Sequence, residues 1–295
     1  MTTLPIITQP IDDLVVSENG ANTTIDLFQH FDDPQTTGQI ARFELADSSL
    51  GGGVTNVLLF DQAGAGAPAT VANFLNYVND GDYVNSIIHR SIPGFVVQGG
   101  GFTFEELIVE SISADPPVVN EFSADRSNLR GTIAMAKLGE DPNSATNQWF
   151  FNLADNSANL DSQNGGFTVF GELLSEEDLA PLDAIANLPV YNASNVQPAF
   201  TDLPLIVEDP TNPIVNNDDN LVRYSDISVI QLDELEFEIL SNSNPDLVNV
   251  TINEGELVLD YAPNQSGTAE ITLQATDLLG DAVEDTFLVT VEEII

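Results

Sequence analysis

The chain has 295 residues, 42% of them apolar and 16 of them Phe, so it can bury a sizeable core and lacks the composition of a disordered segment. Forty-seven acidic residues against six cations give a formal net charge of -41, a balance that repels phosphate backbones and anionic lipid and excludes nucleic-acid binding. The absence of cysteine excludes disulfides and thiolate metal sites, and no apolar run reaches the roughly 18 residues of a membrane-spanning helix, so no membrane insertion is expected.

The opening, MTTLPIITQP, has neither a charged nor a long apolar region, so no signal peptide is expected in it. The acidity favours an extracellular or periplasmic setting over a cytoplasmic one. Residues 1–36 hold two short apolar runs, Leu14 to Val16 and Ile25 to Phe28, separated by the turn-rich Ser17-Glu18-Asn19-Gly20-Ala21-Asn22. Strand-like runs follow from Ile40 to Leu45 and from Val54 to Phe60, joined across Gly51-Gly52-Gly53. Val71, Phe74, Leu75 and Val78 then fall at i, i+3, i+4 and i+7, which predicts an amphipathic helix with Thr70 as N-cap and Gly81 as stop. Short strands between Gly/Asn/Ser/Asp loops are expected from Ile87 to Phe170. A second helix should start at Ser175, run through Leu179, Leu182 and Ile185, and end before Pro189. Residues 190–220 are rich in Pro, Asn and Asp and read as a linker.

The C-terminal stretch differs in kind. Val248/Val250/Ile252, Leu257/Leu259/Tyr261, Ile271/Leu273/Ala275 and Phe287/Val289/Val291 alternate with mostly polar neighbours, and turn residues separate the four groups. This is the pattern of an antiparallel sandwich.

Few reactions find their parts here. With no Cys and two histidines, His30 and His89, a His-rich metal centre is impossible. No GxSxG is present, and Gln98-Gly99-Gly100-Gly101 is neither GxGxxG nor followed by a P-loop Lys. No cofactor or catalytic metal is expected. Calcium on surface carboxylates, around Asp32, Asp33, Asp218, Asp219 or Asp277, is the one cation the acidity would suit. The segment Ile88-His89-Arg90-Ser91-Ile92-Pro93-Gly94-Phe95-Val96-Val97-Gln98-Gly99-Gly100 stands out, because Arg90 is one of only five arginines and sits among apolar residues. On composition alone, a strand-turn-strand in which Arg90 pairs with a carboxylate explains it better than a functional site does.

That segment resembles the cyclophilin signature FHR-I-PGF-QGG. Gly131-Thr132-Ile133-Ala134-Met135-Ala136 with Asn147-Gln148-Trp149-Phe150-Phe151 is similar to the family's far wall of the substrate groove. Asn159-Leu160-Asp161 with Phe167-Thr168-Val169-Phe170-Gly171 resembles its LDG–VFG block, and Val71-Ala72-Asn73-Phe74 its first helix. The resemblance implies peptidyl-prolyl cis-trans isomerisation of proline-containing polypeptides. Arg90, Phe95 and Gln98 would be catalytic, with His89, Val96, Ala136, Lys137, Gln148, Phe150, Leu160 and Phe167 binding substrate. Asn159 replaces a frequent aromatic residue, and Phe167 stands where the family often carries a pocket His. A non-catalytic proline-binding module on an adhesion-like protein is the alternative.

The implied architecture is mainly β. A cyclophilin-like closed antiparallel barrel with two helices is expected over residues 37–205. Residues 1–36 and 206–295 resemble parts of a bacterial cadherin-like repeat, and are expected to form one split β-sandwich around it.

Overall fold

The computed structural model describes residues 4–294 except 107, 208, 212 and 214–217, so positions 208, 212 and 214–217 of the expected linker lie outside the described residues. Two compact units emerge: Gln35–Leu232, and residues 4–34 together with 233–294.

The first unit is built on eight strands: β1 (Gln39–Leu45), β2 (Val54–Leu59), β3 (Arg90–Ile92), β4 (Val96–Gly99), β5 (Thr132–Met135), β6 (Trp149–Asn152), β7 (Val169–Leu173) and β8 (Tyr224–Gln231). They form one antiparallel sheet in the order β8-β1-β2-β7-β5-β6-β4-β3. The expected closed barrel is thus a curled, open sheet. Residues 85–88, just before β3, bond to the start of β8 and the residues preceding it: the Asn85 N–H donates to the Tyr224 carbonyl at 3.0 Å, the Tyr224 N–H to the Ser86 carbonyl at 2.9 Å and the Ile88 N–H to the Val222 carbonyl at 2.9 Å, with a bridge between Ile87 and Arg223.

Period-2 alternation sends Phe43, Val57, Val97, Ile133, Met135, Trp149 and Phe151 into one core. Phe43 is its hub, with ring centroids 5.2 Å from Trp149, 5.3 Å from Phe151 and 5.9 Å from Phe74. Helix α1 (Pro68–Asp80) lays Val71, Phe74 and Tyr77 on this core and ends at Gly81, whose φ of 76° permits the left-handed cap. Its start differs from expectation. Ala67 is the N-cap, Pro68 opens the first turn, and Thr70 lies inside the helix. The first-turn donors are met instead from a distant loop, where the Glu121 carboxylate accepts from the N–H of Ala69 at 3.2 Å and of Thr70 at 2.7 Å.

Two further α-helices follow among the described residues, one more in total than expected: the single turn α2 (Ser157–Leu160) and α3 (Leu179–Ala186). A 3₁₀ turn, Glu176–Asp178, precedes α3, with Ser175 and Asp178 forming a capping box.

Two boundaries need correction. Residues 190–205 do not run as a loose linker. Val190 and Tyr191 pair with Pro204 and Leu203, and Phe200, Leu203, Leu205 and Leu221 bury themselves with Ile87, Phe102 and Phe104. Residues 206–232 do not belong to a C-terminal sandwich either, because β8 pairs along its length with β1.

In the second unit, Leu235–Asn242, Gly267–Asp277, Ala282–Glu292 and Leu14–Ser17 form a four-stranded sheet, while Val248–Asn253, Glu256–Tyr261 and Thr23–Asp26 form a three-stranded one. Leu14–Ser17 runs parallel to the last strand, and Thr23–Asp26 runs antiparallel to Glu256–Tyr261. Leu27, Phe31, Leu257, Leu259, Ile271, Leu273, Phe287 and Val289 share one buried core.

The calcium expectation finds no support. Among the described residues no group of three or more His, Cys, Asp or Glu could hold a metal ion. The Asp277 carboxylate instead accepts from the N–H groups of Leu279 and Asp281, both at 2.9 Å, and so holds its own turn.

Candidate active site

Strand register assembles the site. Arg90 on β3 lies opposite Gln98 on β4, and Gln98 lies opposite Phe150 on β6. Cross-strand partners share a face, so these three side chains stand abreast on the side of the sheet away from Trp149, Phe151 and Val97. Val96, two positions from Gln98 on β4, joins them on that face, and so does Ala136, two positions beyond Ala134, the β5 partner of Phe150. The hairpin between β3 and β4 is a turn in which Pro93 fixes one φ and Gly94 takes a φ of 74°, with the Phe95 N–H donating to the Ile92 carbonyl at 2.9 Å. This turn delivers Phe95 to the same cleft.

The cleft holds about 390 Å³ and is lined by Arg90, Phe95, Val96, Gln98, Ala136, Lys137, Phe150, Leu160 and Phe167 from the expected set, and by Asn159 and Gln163. Val96, Phe150 and Leu160 are nearly inaccessible. The Phe150 and Phe167 rings meet edge to face at 5.8 Å. The result is an apolar floor beside one guanidinium.

Two expected residues stand elsewhere. His89 precedes Arg90 by one position and so faces the opposite way, buried with its ring 5.1 Å from Phe102 and 6.4 Å from Phe200. Burial, with a smaller contribution from the Arg90 charge, lowers its pKa to about 4. It therefore does not line the cleft. Gln148 is not among the residues lining the cleft, and its Oε1 accepts from Gln98 Nε2 at 2.9 Å. Gln98 in turn accepts from Arg90 Nη1 through its Oε1 at 3.3 Å. The relay Gln148–Gln98–Arg90 fixes which end of the Gln98 amide the guanidinium meets.

Lys137 reaches the cleft wall but turns its ammonium to the loop beyond. It donates to the carbonyls of Asn164, at 2.9 Å, and Gly166, and lies 4.8 Å from the Phe167 ring centroid. Burial lowers its pKa.

Several residues that the sequence reading did not single out hold this surface. Asn152 donates to Asn128 and Thr132, Asn156 donates to Asn152 Oδ1 and to the Phe95 carbonyl, and Asn128 donates to Asp161 and to the Phe167 carbonyl. All three asparagines are buried, so each bond counts. Together they pin Phe95 on one rim and Phe167 on the other. Asn residues spread over 29 positions carry no periodic signal from which such a network could be read. Asp202 was also missed: its carboxylate Oδ2 lies 3.8 Å from Arg90 Nε.

An apolar cleft on a curled antiparallel sheet, with one arginine held beside it, defines a peptide-binding enzyme of the prolyl isomerase class. Residues 49–202 match the family described as cyclophilin type peptidyl-prolyl cis-trans isomerase/CLD, and the chain belongs to that family. It is 42% identical over 153 residues to peptidyl-prolyl cis-trans isomerase A of Dickeya dadantii, covering 48% of this chain and 77% of that protein. It is 41% identical over 124 residues to a peptidyl-prolyl cis-trans isomerase of Acinetobacter baylyi, covering 42% of this chain and 63% of the relative. Against peptidyl-prolyl cis-trans isomerase B of Escherichia coli it is 41% identical over 117 residues, which span 38% of this chain and 69% of the other.

Proposed function

We propose that the cleft binds an Xaa-Pro segment with the proline ring against Val96, Phe150 and Leu160, and that Arg90 drives rotation about the preceding peptide bond. Amide resonance sets a barrier of roughly 18–20 kcal/mol to that rotation. No bond to carbon is made or broken, so the work is to favour the twisted amide. In that state the proline nitrogen becomes pyramidal and gains a lone pair. A guanidinium N–H aimed at it stabilises the transition state and not the planar ground state. Arg suits this better than Lys, because its planar fork presents donors in fixed directions. The apolar floor grips the ring while the preceding carbonyl turns.

The observation that carries this reading is the register row Arg90–Gln98–Phe150, which sets donor, orienting amide and apolar wall side by side. Acceleration of cis-trans exchange in a short Xaa-Pro peptide, followed by exchange NMR, is the test. Peptide binding with unchanged exchange would instead leave a binding module.

For the second unit we propose a cadherin-like β-sandwich completed by the N-terminal strands. In support stand two sheets on one core and the pairing of Leu14–Ser17 with Ala282–Glu292.

A further inference from the structure

The structure assigns to Asp202 the role of a positioning residue for Arg90, an inference that rests on the catalytic role proposed for that arginine. Two contacts bring Asp202 to β3. Its carbonyl accepts from the Ser91 N–H at 2.8 Å, and its carboxylate Oδ2 lies 3.8 Å from Arg90 Nε. Thr201 Oγ1 donates to the same Oδ2 at 2.8 Å, which limits rotation of the carboxylate.

The guanidinium is therefore addressed from two sides. Gln98 Oε1 accepts a hydrogen bond from Nη1, and Asp202 faces Nε. An arginine has five N–H donors on a rigid plane, so one hydrogen bond at Nη1 and a carboxylate charge beside Nε together bias the orientation of the rest. Arg90 also lines the cleft, so the N–H groups left over are presented at its wall.

Asp202 is well placed to orient and poorly placed to stabilise. The pair is partly exposed, with 31% of the Arg90 side chain and 39% of the Asp202 side chain accessible, and pairs of that kind add little to folding. The backbone anchor to Ser91 does not depend on the carboxylate, so a side-chain substitution leaves the segment in place. Neighbouring Phe200 and Leu203, both buried, hold it from either side.

The test uses the full chain. In the unmodified protein the Arg90 Nε–Hε group, one of five such resonances, should show backbone-like order in ¹⁵N relaxation. Asp202→Asn should loosen it and lower kcat/KM about tenfold. The peptide Kd should stay within about twofold and the melting temperature should not move. In an Arg90→Ala background the same substitution should change nothing, because the group it acts through is gone. A disordered Nε–Hε in the unmodified chain, or an unchanged kcat/KM in Asp202→Asn, overturns the proposal, and so does an equal loss in both backgrounds. Failure of the unmodified chain to accelerate isomerisation would count against the catalytic reading. The relaxation measurement would still decide whether Asp202 orders the arginine.

Discussion

Arg90 and His89 are sequence neighbours with opposite fates, because adjacent residues at a strand start face opposite sides of the sheet. Arg90→Ala should lower kcat/KM at least about 100-fold, roughly 2.7 kcal/mol of transition-state stabilisation, with the fold intact, as read by exchange NMR and a thermal melt. His89 has a separate consequence. Its pKa is about 4 in the folded chain, and an unfolded His titrates near 6.5. Between those values the unfolded state binds a proton that the folded state refuses. Stability from this group is therefore full above about pH 6.5, falls as pH drops, and is lost to the extent of about 3 kcal/mol below pH 4. His89→Phe suits a site lined by Phe102 and Phe200, and should remove that part of the acid sensitivity. Melting temperatures of both proteins from pH 7 to pH 4 would keep a constant offset if the histidine played no part. Asp202 was invisible beforehand because its link to Arg90 joins positions 112 apart, with no spacing rule to connect them.

At the scale of elements, motif and period were readable where side chains repeat locally. The Pro93-Gly94 turn, helix α1 and its Gly81 stop, and alternation in Val248–Asn253 and Glu256–Tyr261 are such cases. β8 was not, because a bulge between Tyr224 and Asp226 shifts its alternation out of phase. Leu235–Asn242 alternates Leu235, Phe237 and Ile239, but its glutamates have low strand propensity and a bulge near Ser241 breaks the repeat. The cap of α1 was not readable either, since its acceptor comes from Glu121, 51 residues beyond Thr70. Glu121→Ala should leave the first-turn donors of α1 without a carboxylate at the positive end of the helix. The expected cost is about 1–2 kcal/mol, seen as a melting temperature lower by roughly 2–8 °C. A melting curve that superimposes on that of the unmodified protein would show that water replaces the carboxylate at no cost.

Over the whole molecule, residues 4–34 supply the second unit with an edge strand in each sheet and with the fully buried Leu27 and Phe31. Removing a buried Phe alone typically costs about 3–5 kcal/mol. Deleting residues 1–34 should therefore unfold residues 233–294 or drive them to aggregate, while isomerase activity survives. A calorimetric scan that keeps both transitions would refute this. The cut belongs at Pro34, because Gln35 and Thr36 are buried in the first unit. The shared core also imposes an order of assembly during synthesis. Glu256, the register partner of Asp26, emerges 256 − 26 = 230 residues later, a wait on the order of tens of seconds at ribosomal speed. By then the first unit can already be folded, with Gln39 and Gln231 paired across neighbouring strands. The chain leaves that unit where it entered, so most of the loop-closure entropy for the late pairing is removed before the late strands appear. The isomerase unit thus acts as a clasp on its own chain, and refolding experiments should find the second unit slowed whenever the first is destabilised.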